Sequence, residues 1–139
     1  MLTGAKKQFL VSGVLFARND IAILFGGNKR TFLPQAEGVV VAGCFDPRMN
    51  PNALREVVVS NGRSATLAAK RLLDQKQSVP IFLRREANCW EYIGRFRAVR
   101  YTEDPDEVRS RIYEIIPRIY EKYRKSYGDI RGILFLDEA

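Results

Sequence analysis

Two cations follow a glycine pair at residues 26–30 (GGNKR), and another, Arg63, sits in the run SNGRS. Further on, Arg84, Arg85, Arg95 and Arg97, with Arg100 beyond them, bracket Trp90 and Tyr92. Together these residue types serve one chemistry. Guanidinium and ammonium groups neutralise phosphates and set a protein's register on a nucleic acid. An aromatic face stacks a base, worth about 1–3 kcal/mol per base in single-strand binders. Each stretch also has a plainer reading. Gly26 or Gly27 ends a helix in the left-handed conformation, so the pair predicts a helix stop reused to hold Lys29 and Arg30 against phosphates. Ser60-Asn61-Gly62 reads as a turn with Asn or Ser as helix cap, and Arg63 stands where backbone N–H groups favour an anion. That run lacks the Lys-Ser/Thr ending of a nucleotide P-loop. Trp90, Tyr92 and Phe96 alternate, which suits a buried strand face as well as a stacking wall. Phe45-Asp46 ends a strand beside Pro47. The carboxylate either caps the turn or accepts from the exocyclic amine that cytosine or adenine offers, and Asn61 is a second candidate to read a base edge.

The charge balance agrees with a polyanionic partner. The chain of 139 residues has a formal net charge of +7 and a pI of about 9.7, and nucleic acid is the first partner such a balance suggests. The sequence contains no histidine, which removes Ser-His and Cys-His nucleophilic pairs, HNH-type nuclease chemistry and His-bearing zinc sites. Cys44 and Cys89 are too few and too far apart for a zinc cluster and read as small buried hydrophobes. Carboxylates remain, but no Asp is followed by the Glu-x-Lys spacing of a metal-dependent nuclease. The composition calls for no cofactor and no metal. The N-terminus places lysines before an apolar stretch as a leader peptide does, yet Ser12 and Gly13 interrupt it and no cleavage site is evident. No run approaches the roughly 20 apolar residues of a membrane span. These features suit a cytoplasmic protein, or a nuclear one in a eukaryote.

The elements that must position these groups follow from periodicity and turn residues. Residues 8–16 read as a first strand, and Asn19 or Asp20 caps a short helix through Phe25. Strands are predicted over 38–45 and 54–60, separated by the proline- and asparagine-rich loop 46–53. A helix over 64–76 carries Ala65, Ala68, Ala69, Leu72 and Leu73 on one face. Residues 79–85 form a strand that Pro80 assigns to a sheet edge. Residues 89–101 form another, with Trp90, Tyr92, Phe96 and Ala98 on one side and a bulge or bend at Gly94. Asp104, Pro105 and Glu107 open a helix as a capping box with proline at its first position. Its apolar residues run from Val108 to Tyr123, Pro117 kinks or splits it, Lys122, Arg124 and Lys125 suit its negative end, and Gly128 stops it. A last strand over 132–136 returns to the sheet. The sum is one α+β domain over 1–139: a curved mixed sheet or partly closed β-barrel with two main helices packed outside, residues 104–139 being a C-terminal helix-strand extension. Tyr113, Tyr120, Tyr123 and Tyr127 on that helix pack on its own sheet or offer a docking face to a second copy or a partner protein.

The order of short motifs adds a resemblance. R-x-D-I-x-x-x-F-G-G (Arg18 to Gly27), a strand ending in S-N-G (Ser60 to Gly62), a helix, P-I-F-L-R-R (Pro80 to Arg85) and W-E-Y-I-G-R-F (Trp90 to Phe96) follow one another across residues 17–101. This resembles the SRA-like domains of the PUA-like barrel superfamily, found in modification-dependent restriction proteins. The resemblance implies a non-enzymatic reader of double-stranded DNA that flips a methylated or hydroxymethylated base into a pocket. It implies Lys29, Arg30, Arg63, Arg84, Arg85, Arg95 and Arg97 on the backbone, and Phe45, Asp46, Asn61, Trp90 and Tyr92 around the base. The chain departs from the family after the glycine pair, where Asn28-Lys29-Arg30-Thr31 replaces a Gln- and Gly-rich stretch, and in carrying no recognisable nuclease, so the expectation is either a protein that binds without cutting or one fragment of a larger machine. An RNA-binding PUA-like domain and an interaction or regulatory domain with an incidental basic face are the competing expectations.

Overall fold

The computed structural model describes residues 10–119 and 129–139. The expectations for Lys122 to Lys125, for Tyr120, Tyr123 and Tyr127, for Gly128 and for the first two residues of the N-terminal strand lie outside the described residues. In chain order the elements are β1 (Leu15–Phe16), α1 (Arg18–Phe25), β2 (Gln35–Ala36), β3 (Val39–Val40), β4 (Gly43–Phe45), β5 (Glu56–Ser60), α2 (Arg63–Gln75), β6 (Val79–Glu86), β7 (Cys89–Thr102), α3 (Pro105–Ile115), a 3₁₀ turn (Ile116–Arg118) and β8 (Ile130–Glu138). The chain is α+β, with three helices and a mixed six-stranded sheet in the order β4-β6-β7-β8-β5, to which β1 adds on β7. β2 and β3 form a separate hairpin.

The two long strands are written in β-branched and aromatic residues, which pack well on a pleated surface. They pair antiparallel around a turn in which Asn88 takes a positive φ of 52°. β4 joins β6 in parallel, while β5 joins β8 antiparallel. Pro80 therefore does not mark a sheet edge: β6 runs between β4 and β7. The proline is tolerated because it is only the second residue of the strand and lies one residue before the β4 ladder begins at Ile81.

The break expected at Gly94 is present, and its consequence is larger than a bend. Ile81 pairs with Gly94 but Phe82 pairs with Tyr92, so one residue of β7 is extra. An extra residue inverts the alternation of faces beyond it. Tyr92 packs with Phe16, Ile21, Cys44 and Phe82, while Phe96 and Ala98 join the core on the opposite side. The expected common face of Trp90, Tyr92, Phe96 and Ala98 does not exist.

The helices start where local acceptors meet their free N–H groups. Ala17, not Asn19 or Asp20, is the N-cap of α1; Asp20 Oδ2 accepts from Ala17 N–H at 3.1 Å and Asn88 Oδ1 from Arg18 N–H at 2.9 Å. α2 begins after Gly62 with no side-chain cap, so neither Asn61 nor Ser64 fills that role. α3 opens as the sequence indicates, Asp104 Oδ2 accepting from Glu107 N–H at 3.2 Å with Pro105 in first place. Glu107 turns its own carboxylate to Arg100, at 2.6 and 2.9 Å. The helix gives way to the 3₁₀ turn at Pro117.

One face of the sheet carries a core drawn from β4 to β8, including Phe45, Val57, Ile81, Phe96 and Leu134, closed by Ala69 and Leu72 of α2. The other face is covered in two parts, one with Ile21 of α1 over Phe82 and Tyr92, the other with Val108 and Ile115 of α3 over Val58 and Ile133. Helices thus lie on both sides of the sheet. No ladder joins β4 to β5, so the sheet is not a closed barrel.

Asn50 bridges the gap between those two edges. Its N–H donates to Asp46 O at 2.9 Å, just past β4, and its buried Oδ1 accepts from Val58 N–H of β5 at 2.9 Å. Segment 32–34 borders β4, Phe32 O accepting from Cys44 N–H at 2.8 Å. No helix among the described residues is long and apolar enough to cross a membrane. Replacing Asn50 with alanine leaves Val58 N–H buried without a partner, which costs about 1–3 kcal/mol. Urea unfolding of Asn50→Ala is expected to show that loss of stability; an unchanged midpoint would mean the seam is held by something other than this side chain.

Candidate functional site

The loop after α1 is held from two directions. Gly26 caps the helix at φ 88°, its N–H donating to Ala22 O at 2.8 Å. Gly27 follows at φ 80°, where a Cβ would lie 2.7 Å from the Pro34 side chain and 3.1 Å from Gln35 N, so both conformation and space require glycine. Asn28 Oδ1 then accepts from the Arg30 and Thr31 N–H groups at 2.9 and 2.8 Å. From inside, Arg18 Nη2 donates to Asn28 O and Thr31 O at 3.2 and 3.1 Å. Lys29 and Arg30 are left exposed on a loop with a fixed backbone.

Arg18 itself is only 9% exposed. Its guanidinium lies over the Trp90 ring, 5.3 Å from the centroid, an attractive cation–π geometry. Its Nε is buried without a hydrogen-bond partner.

These groups form one wall of a pocket of about 400 Å³, within the range of roughly 300–1,000 Å³ usual for ligand sites. β4 contributes Cys44 and Phe45, β5 contributes Val58 and Ser60, and Phe32, Asp46, Met49, Asn50, Trp90 and Ile130 complete the lining. Both edges of the sheet therefore contribute to the same cavity. Cys44 forms an inert part of the wall: burial pushes its thiol up to about 12, although the Arg18 cation pulls the other way.

Asp46 stands at the rim with its carboxylate fully engaged. Oδ1 accepts from Arg48 N–H and Nε at 2.9 and 3.2 Å, and Oδ2 from Arg48 Nη2 and Arg84 Nη1 at 3.0 and 3.3 Å. Burial raises its pKa, but the Arg48 hydrogen bonds and Arg84 outweigh that and hold it below the ordinary carboxylate value. Four donors fill the acceptor sites of one carboxylate, so Asp46 first serves to fix two arginines. Arg48, Arg84 and Arg85 line a second groove beside the pocket, with Pro47.

The structure thus brings together Lys29, Arg30, Phe45, Asp46 and Trp90 of the residues singled out from sequence, with Arg84 adjoining through Asp46. Arg85 is exposed and pairs with Glu91 at 2.6 Å. Arg63 is exposed at the first residue of α2. Asn61 lies next to the pocket residue Ser60 but is not in the lining, and its N–H donates to Asp129 O at 2.6 Å. Tyr92 belongs to the core, 6% exposed with its ring 5.5 Å from that of Phe82, and offers no stacking surface. Arg95 bonds Ser78 Oγ and O at 3.0 and 2.7 Å, and Arg97 sits opposite Asp137. Along a strand rising about 3.3 Å per residue, Arg97 is roughly 20 Å from Trp90. Arg100 is further still, paired with Glu107 and 4.1 Å from the Phe135 centroid. The arginines of β6 and β7 are not one patch. On α3, Val108 and Ile115 pack on the sheet while Tyr113 is 77% exposed.

Sequence reasoning saw Arg18 only within a motif, Ser60 only within a turn and Asn50 only within a loop, and gave none of them a part in the site. Arg18 did carry a signal, because an arginine at the first position of a helix opposes the macrodipole and so has another reason to be there. Comparison with protein-family models, with curated proteins and with solved structures returns no match.

The wall chemistry has a direct check. Iodoacetamide at pH 8 is expected to leave Cys44 unmodified in the folded protein and to label it once the chain is unfolded, read by peptide mass spectrometry. Native labelling of Cys44 at the unfolded rate would mean that the pocket opens behind β4.

Proposed function

We propose that this chain binds nucleic acid, duplex DNA first, and receives an extruded, modified base in the pocket between α1, β4 and β5, as SRA-like readers do. The observation that carries the reading is a single one. A cavity with aromatic and apolar walls opens at the seam of the sheet, lined by Arg18, Lys29 and Arg30, and its rim residue Asp46 braces Arg48 and Arg84. The PUA-like part of this reading rests on the order of the sequence motifs, the sheet itself being mixed and unclosed. In this reading Lys29, Arg30, Arg48 and Arg85 meet phosphates, which position a protein without carrying sequence information. Phe32 and Trp90 supply aromatic surface, and Ser60 is the polar group at the cavity best able to read a base edge. Extruding a base costs a few kcal/mol, which stacking and two or three hydrogen bonds offset. Such a protein would act wherever nucleic acid is found, in the cytoplasm or a eukaryotic nucleus.

Two measurements test this. Affinity for a duplex should fall steeply with salt, because each neutralised phosphate releases counterions. Lys29→Ala with Arg30→Ala should leave the fold intact, weaken binding about equally across sequences and lower the salt slope by about two, at roughly 0.9 per lost contact on B-DNA. Salt-independent affinity would end the nucleic-acid reading. Base extrusion is tested separately by comparing plain, methylated and hydroxymethylated duplexes with 2-aminopurine at the target. A crystal of the complex with every base still paired would end extrusion and leave backbone binding in place. Preference for structured RNA over duplex DNA would favour the RNA-binding reading.

A further inference from the structure

We infer that the occupant of the pocket brings a full negative charge into it, namely a nucleotide phosphate seated beside Arg18. The inference rests on the reading of this pocket as the ligand site and specifies which part of a nucleotide the site is built to hold.

The argument begins with uncompensated charge. Arg18 is nine-tenths buried, and among the described residues it makes no ion pair with a carboxylate. Its acceptors are two backbone carbonyls and the face of Trp90, and its Nε has no partner. Taking a cation out of water is costly unless it is paired and hydrogen-bonded, and a buried donor left unpaired calls for an explanation. Lys29 and Arg30 add two more cations to the same lining. The carboxylate there, Asp46, is already held by Arg48 and Arg84. Three cations therefore face a cavity whose acid is engaged elsewhere. A neutral base offers Arg18 acceptor atoms but no charge. A phosphate supplies both the missing charge and acceptor oxygens, and the charge-assisted hydrogen bonds it would make are about twice as strong as neutral ones.

The fixed loop supports the same assignment. Arg18 holds the carbonyls of Asn28 and Thr31, so the guanidinium and the two loop cations keep a set spacing. An anion bound between them meets donors that need no reordering, which is the condition for tight binding of a small group.

The test is calorimetric titration of the full chain with deoxycytidine 5′-monophosphate, deoxycytidine and inorganic phosphate. The monophosphate should bind at least about tenfold tighter than the nucleoside, and inorganic phosphate should compete with it. Arg18→Met should weaken monophosphate binding roughly ten- to hundredfold and leave the nucleoside nearly unaffected, whereas Arg18→Lys retains part of the preference. Asn28→Ala loosens the loop without removing any charge, so it should lower the ratio between monophosphate and nucleoside while keeping a preference for the monophosphate. Equal affinities for the two ligands would overturn the inference, as would loss of the preference in Asn28→Ala. If Arg18→Met does not fold, the wild-type ratio and competition by phosphate still decide. Oligonucleotide binding with no phosphate preference would end this inference and leave the nucleic-acid reading intact. Monophosphate binding without oligonucleotide binding would do the reverse.

Discussion

Strands β4 and β5 are the two ends of a sheet that never closes, and the backbone at such an end must find partners or water. Here the join is made by one side chain. Asn50 reaches from the loop after β4 to the Val58 N–H of β5, and its own N–H holds Asp46 O. Asn50 and Asp46 both line the pocket, together with residues of β4 and β5.

The charge around the cavity is arranged as fixed pairs and unpaired groups. Asp46 fixes Arg48 and Arg84 at the rim. Asn28 and Arg18 fix a loop that presents Lys29 and Arg30 to the same cavity. Away from the pocket, positive charge is paired off: Arg100 with Glu107 and Arg111 with Glu56. The net charge of +7 is therefore less informative than its placement. Cations without carboxylate partners matter most where they meet a concave, apolar wall, because low dielectric strengthens their interaction with an anion.

Much of this was legible in the sequence where the determinants are local. Asp104 and Pro105 opened a helix, Pro117 ended it and Gly26 stopped another, because each acts within one turn of chain. The strands 79–85, 89–101 and 132–136 were visible through their β-branched and aromatic residues. What failed was non-local. Gly94 announced a bulge, but only the pairing register decides that Tyr92 and Phe96 then face opposite sides. Arginines close in sequence along β7 were read as one cluster with Trp90, although an extended strand carries Arg97 roughly 20 Å from that ring. Asn50 looked like one more turn residue, since nothing local says that its amide meets a strand from the far edge of the sheet. Arg18 was visible only as part of a motif, its role depending on a loop ten residues away and on Trp90.

The chain holds a single tryptophan, and it lines the pocket, so one indole N–H resonance reports the occupancy of the site. Titrating a short duplex into ¹⁵N-labelled protein is the most direct test of the account. If the pocket at the seam is the binding site, the Trp90 indole signal and the amides of Asn28 to Thr31 and Ser60 shift together to the same saturation point. Binding that moves the amides around Arg95 and Arg97 while the Trp90 indole stays in place would contradict it.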